Sequence, residues 1–151
     1  MSNPAESAGN SGPTPADLIL IVEDNRLVAK FYTMALQRAG NLDSLVTEDV
    51  TEMLNQVEAG WVRVAIVDVS LGGTEWEGHP IDGVALTKLL KQRALASTGR
   101  ALRVLLATAH AMAGDRERLL AASGADGYLE KPVYDAALLV EKVRRLLETS
   151  D

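Results

Sequence analysis

Hydrophobic residues in this chain alternate between two textures. Short apolar runs, Leu18-Ile-Leu-Ile-Val22, Val62 to Val67 and Leu102 to Ala107, the last two each carrying one arginine near the start (Arg63 and Arg103), lead into polar residues: Glu23-Asp24, Asp68 and Thr108. Runs of this length, bounded by polar positions, predict strands buried on both faces. Ser44-Leu-Val-Thr47 and Tyr128-Leu129 predict two weaker strands. Between the strands, apolar positions recur at helical spacing. Val28, Phe31, Tyr32, Ala35 and Ala39 share one face, opposite Arg26, Lys30, Thr33 and Gln37, and Gly40 is expected to end that helix as its left-handed C′ residue. Asp49 with Glu52 predicts a capping box for a helix running to Gly60, and Asp82 predicts the N-cap of a helix over 83–97. A short helix from Asp115 to Ser123 stops at Gly124. The last runs from Asp135 to Thr149 with Ala136, Leu139, Val143 and Leu146 inward.

Five strands alternating with five helices predict an α/β fold, a parallel sheet covered by helices on both faces and joined by right-handed crossovers. Residues 1–16, rich in Pro, Ser and Gly, have almost nothing to bury and are expected to form a disordered tail, leaving 17–151 as the folded domain. With the last helix ending near residue 149, an attached output or DNA-binding domain is not expected.

Composition narrows the function. The chain has 151 residues, 47% hydrophobic and 24% charged, which suits one globular domain. It contains no cysteine, so disulfide scaffolds, thiol catalysis and thiolate metal sites are excluded, and a reducing, cytoplasmic setting fits. No run is long enough for a membrane helix and no signal-peptide order precedes the domain. Fifteen Lys and Arg against 21 Asp and Glu give a net charge of −6, which argues against a nonspecific nucleic-acid surface.

In an open parallel sheet, ligands bind beyond the carboxyl ends of the strands. Here those ends carry Glu23, Asp24, Asp68 and Thr108, and Lys131-Pro132 follows the last strand. Singly, each has an ordinary reading: the acids as partners of a helix dipole, Thr108 as a β-branched strand residue, Lys131 as a surface lysine. Jointly they put three carboxylates, a hydroxyl and a lysine on one edge. Crowded carboxylates repel unless a cation shares the site, and an all-oxygen set suits a hard ion such as Mg²⁺. A carboxylate between a metal and a lysine can attack phosphorus and form an aspartyl phosphate.

Ile-Val-Glu-Asp-Asn at 21–25, Ile-Val-Asp-Val-Ser-Leu at 66–71, Leu-Ala-Thr-Ala at 106–109 and Gly-Ala-Asp-Gly-Tyr-Leu-Glu-Lys-Pro at 124–132 resemble the four signatures of response-regulator receiver domains. The resemblance spans about residues 17–149. It implies a flavodoxin-like, doubly wound five-stranded sheet of order 2-1-3-4-5. It also implies Asp68 as phosphoacceptor, Asp24 as a direct Mg²⁺ ligand, Glu23 acting through water, and the backbone carbonyl of Ser70 as a third protein ligand. Thr108 and Lys131 would contact the phosphoryl group, and Tyr128 would be the aromatic that responds to movement of the Thr108 hydroxyl. The implied protein is a stand-alone switch rather than a turnover enzyme, catalysing only its own phosphorylation and dephosphorylation. Its donor would be a sensor histidine kinase or histidine phosphotransfer protein, and its output an unidentified protein.

Two other readings stand beside this one. A haloacid-dehalogenase-like phosphatase or phosphotransferase would want a second Asp two residues past the nucleophile, where Ser70 stands. A receiver-like scaffold that is never phosphorylated would have little use for Asp68, Thr108 and Lys131 together. The chain also departs from the family in one place. An Asp-Gly pair normally opens the third helix sooner after the acceptor, whereas Asp82-Gly83 comes only after Gly72-Gly-Thr-Glu-Trp-Glu-Gly-His-Pro80. That insertion is expected to be a polar, mobile, peripheral loop near the active-site edge, with Trp76 either a partner anchor or packed back on the domain. Glu75, Glu77 and His79 in it could suggest a metal site, but a solvated loop is the plainer reading. Ser70 and His110 are expected to flank the approach of water.

Overall fold

The computed structural model describes residues 18–109, 112 and 114–148. The expected tail, His110 and Thr149 lie outside these. The elements in chain order are β1 (Leu18–Val22), α1 (Arg26–Gly40), β2 (Ser44–Val46), α2 (Val50–Glu58), β3 (Val62–Asp68), β4 (Glu75–Trp76), β5 (His79–Pro80), α3 (Gly83–Thr98), β6 (Arg103–Thr108), α4 (Asp115–Ser123), β7 (Gly127–Glu130) and α5 (Ala136–Glu148). All pairings in the main sheet are parallel, and its order is β2-β1-β3-β6-β7. With the two-residue strands β4 and β5 set aside in their own hairpin, this is the expected 2-1-3-4-5 arrangement.

Alternation along the strands divides the core in two. Leu20, Val22, Ala65, Val67, Val104 and Leu106 face α2 and α3, through Val50, Met53, Leu54, Val57, Leu86, Leu90 and Ala94. Ile19, Ile21, Val64, Ile66, Leu105, Ala107 and Leu129 face α1 and α5, through Ala29, Tyr32, Ala35, Leu36, Leu139, Val140 and Val143. Strands buried on both faces need apolar residues at nearly every position, which is why they read as apolar runs; the half-buried Arg63 and Arg103 stand near the starts of β3 and β6.

The helix caps mix confirmation with correction. The Asp49 carboxylate accepts from the amides of Thr51 and Glu52 at 3.0 and 3.4 Å, but the reciprocal half of the expected capping box is replaced, since the Asp49 amide donates to Thr47 Oγ1 at 3.1 Å; the Asp82 carboxylate accepts from the Ala85 amide at 2.8 Å. Gly40 is not the left-handed residue: it closes α1, and Asn41 takes φ 54°. Gly40 instead makes a tight helix contact: a Cβ there would come 3.0 Å from Val140 Cγ1 of α5. The inner face of α1 also differs from expectation, with Leu36 fully buried and Ala39 exposed.

The insertion is the largest correction. Residues 75–80 form an antiparallel hairpin, with Glu75 opposite Pro80 and Trp76 opposite His79. The segment has apolar anchors after all. Thr74 is 2% exposed, and Leu71, Trp76 and Ile81 pack against the core on the α2/α3 side. Arg93 of α3 sets its guanidinium 5.9 Å from the centroid of the Trp76 ring and pairs with Glu58 of α2 at 3.1 Å. Trp76 therefore packs back on the domain.

Candidate functional site

The order β2-β1-β3 makes the chain move outward from β1 in both directions, so a crevice opens where β1 and β3 end side by side. Glu23 and Asp24 follow β1, Asp68 closes β3, Thr108 closes β6 beside it, and Lys131 comes directly after β7. Glu23, Asp68 and Thr108 are at most 5% exposed, while Asp24 is open to solvent.

Lys131 ties the pocket together. Its Nζ donates to Glu23 Oε1 at 3.0 Å and to Asp68 Oδ2 at 3.2 Å, and its backbone amide donates to the Thr108 carbonyl at 2.9 Å. Three of the other four carboxylate oxygens are steered by backbone amides. Asn25 N–H donates to Glu23 Oε2 at 3.1 Å, Ser70 N–H to Asp68 Oδ1 at 3.2 Å, and Gly72 N–H to Asp24 Oδ2 at 3.1 Å. The N-cap of α1 is Asn25, whose side chain accepts from Leu27 and Val28. Neither Glu23 nor Asp24 is therefore spent on capping that helix.

The electrostatics match this geometry. Burial pushes the Glu23 carboxyl above its ordinary range; the bonds from Lys131 and Asn25 pull it down, and the Asp68 charge adds to the rise. Burial alone would lower the Lys131 ammonium, but its bonds to Glu23 and Asp68, with their charges, outweigh that and raise it. Glu23, Asp24 and Asp68 offer oxygens that lie within 4.8 Å of one another. An all-oxygen, carboxylate-rich set of that size fits a hard divalent ion. Glu75, Glu77 and His79 are exposed on the hairpin and do not join this cluster.

Tyr128 stands apart from the acids. It is 8% exposed on β7, with the Arg116 guanidinium of α4 at 4.9 Å from its ring centroid. Burial raises its hydroxyl pKa, Glu130 adds to the rise and Arg116 opposes it.

Three contributors were not foreseen in the sequence: the Gly72 amide, Gly83 and Tyr32. A Cβ on Gly83 would lie 2.1 Å from the Asp68 carbonyl oxygen, so α3 starts against the backbone that carries Asp68. The Tyr32 hydroxyl is buried and has no hydrogen-bond partner among the described residues. Burial first, then the charges of Glu23 and Asp68, raise its pKa. Tyr32→Phe removes this orphan hydroxyl and is expected to stabilise the fold by about 1 kcal/mol at neutral pH. The folded state keeps a phenol proton that the unfolded chain releases above its ordinary value of 10.0, so native stability falls as pH rises past that point. The variant should lose this alkaline slope. Urea midpoints for both proteins at neutral and alkaline pH check it, and identical midpoints throughout would refute it.

Comparison with known proteins agrees with the architecture. The profile of the response regulator receiver domain matches residues 19–144. The polar-differentiation response regulator DivK of Brucella ovis is 28% identical over 115 residues, covering 76% of this chain and 84% of that protein. The sensor histidine kinase GacS of Pseudomonas protegens is 28% identical over 137 residues, or 91% of this chain, which spans only 14% of the kinase. Among solved structures, a putative response regulator from Chloroflexus aurantiacus superposes with a TM-score of 0.69 at 28% identity, covering 89% of this chain and 99% of that one. The receiver domain of the sensor histidine kinase PA1611 from Pseudomonas aeruginosa gives 0.67 at 25% identity, with 89% and 99% coverage, and has a magnesium ion coordinated in its active-site cleft. No helix among the described residues is long and apolar enough to cross a membrane. With its profile match, its sheet order and its acid–lysine pocket in accord, the chain belongs to the response regulator receiver domains, the phosphorylation-operated switches of two-component signalling.

Proposed function

We propose that Asp68 accepts a phosphoryl group from a phosphohistidine on a sensor kinase or histidine phosphotransfer protein. The observation that carries this reading is Lys131 Nζ bridging Glu23 and Asp68 at the end of the central strand. An Asp68 carboxylate oxygen attacks phosphorus, the P–N bond breaks, and the donor imidazole leaves carrying its electron pair and takes up a proton. Lys131 supplies a fixed positive charge to the phosphoryl oxygens, and the Thr108 hydroxyl donates to another. Asp24, the Ser70 carbonyl and Asp68 would hold Mg²⁺ directly, with Glu23 acting through water. Bound there, Mg²⁺ supplies charge neutralisation for the incoming phosphoryl group. Hydrolysis of the aspartyl phosphate by the same site resets the switch.

Signalling then needs the phosphorylated state to differ at a surface. The Thr108 hydroxyl, drawn toward the phosphoryl group, vacates space that Tyr128 takes, shifting a pre-existing equilibrium at the α4–β7–α5 face where an output protein binds. In Thr108→Ala, phosphorylation by acetyl phosphate with Mg²⁺ should persist, seen as a Phos-tag mobility shift. The phosphorylation-dependent amide shifts over residues 114–148 should be largely lost. A wild-type chain that takes no phosphoryl group overturns the reading altogether. Wild-type amide shifts in Thr108→Ala overturn only the relay through this hydroxyl.

A further inference from the structure

The three acids of the pocket are not equally held. Glu23 and Asp68 are buried and each has two donors, one to each oxygen, whereas Asp24 is exposed. Among the described residues, the hydrogen bond that orients Asp24 comes from the Gly72 amide to Oδ2 at 3.1 Å, which leaves Oδ1 for another partner. A free carboxylate on a solvent-facing loop would lose rotamer freedom on binding an ion, and one already oriented loses less.

Gly72 is the first residue of the insertion, and the segment beyond it is anchored. Thr74 is buried, and its carbonyl accepts from the Ile81 amide at 3.1 Å, closing the base of the hairpin. Two residues on, Trp76 lies against the core beneath Arg93, which Glu58 holds from α2. Gly72 also sits close to its target, since a Cβ there would be 3.2 Å from Asp24 Oδ2.

We propose that the inserted hairpin is a positioning element for the metal ligand: Trp76, clamped by Arg93, fixes the backbone so that the Gly72 amide holds Asp24 with Oδ1 free for Mg²⁺. The inference rests on the proposed role of Asp24 as a metal ligand. Groups that orient a metal ligand through a hydrogen bond commonly change affinity by about 10- to 100-fold when lost. Because coupling between two sites is reciprocal, metal binding must also stabilise the hairpin.

The test is calorimetric titration of the full chain with MgCl₂, alongside urea midpoints without metal. Trp76→Ala should bind Mg²⁺ about 10-fold more weakly, toward the lower end of that range. Trp76→Phe should recover most of the loss, and Arg93→Gln, which leaves the core untouched, should weaken binding in the same direction. In a Trp61→Phe background, where Trp76 is the sole tryptophan, Mg²⁺ should shift its emission, and Mg²⁺ should slow hydrogen exchange at residues 72–80. If wild type binds Mg²⁺ while Trp76→Ala and Arg93→Gln bind it equally well or more tightly, the positioning role is overturned and the metal reading survives. If wild type binds no Mg²⁺, both fall. Should Trp76→Ala fail to fold, Arg93→Gln and the exchange measurement decide the question.

Discussion

Asp68→Asn is expected to abolish phosphoryl incorporation while leaving the fold intact. The amide is nearly isosteric with the carboxylate, and its oxygen can still accept from the Ser70 amide, which reaches Asp68 Oδ1 at 3.2 Å. What disappears is the anionic nucleophile and the charge partner of Lys131, now 3.2 Å from Oδ2. Loss of that ion pair is offset by relief of repulsion, because the Asp68 charge is one of the causes that raise the Glu23 pKa. The variant should therefore unfold near the wild-type urea midpoint and show no mobility shift with acetyl phosphate and Mg²⁺. Residual incorporation at the wild-type rate would place the acceptor elsewhere.

Gly83→Ala is expected to have the largest effect on stability. Its new methyl group would stand 2.1 Å from the Asp68 carbonyl oxygen, 2.7 Å from Val69 Cα and 2.8 Å from the Asp68 carbonyl carbon. All three are backbone atoms, so no side chain can rotate away. Either the start of α3 withdraws, stretching the 2.9 Å bond from the Gly83 amide to the Val69 carbonyl, or the end of β3 shifts and moves Asp68. Overpacking that only the backbone can relieve costs about 3 kcal/mol. The urea midpoint should fall accordingly, and the surviving folded protein should be phosphorylated more slowly. A variant as stable as wild type would show that α3 is not held against β3 in this way.

Most of the fold was legible because its strands are buried on both faces, so β1, β3 and β6 stand out as apolar runs in spite of Arg63 and Arg103. The site was legible by the same logic, since polar residues closing four such elements share one edge of the sheet. The details that escaped depend on atoms distant in sequence. Gly40 announces a helix end, yet its role is to let Val140 of α5 approach, and the left-handed turn falls to Asn41. The periodicity of α1 places Tyr32 inward without revealing that its hydroxyl has no hydrogen-bond partner among the described residues. The hairpin strands are two residues each, too short to register as a pattern, and the surroundings of Trp76, the core on the α2/α3 side with Arg93 of α3 and its partner Glu58 of α2, come from elements distant in sequence. Asp82-Gly83 was readable as a helix start, but not the contact of Gly83 with the Asp68 backbone.

The carboxylate of Asp68 is expected to carry the phosphoryl group, and an acyl phosphate has a chemistry that no phosphoserine or phosphothreonine shares. Wild-type protein treated with acetyl phosphate and Mg²⁺, then with hydroxylamine, and digested for mass spectrometry should yield a single hydroxamate, at Asp68, and none when Mg²⁺ is chelated beforehand. A phosphoryl group that survives hydroxylamine, or a hydroxamate mapped to Glu23 or Asp24 instead, would contradict the account.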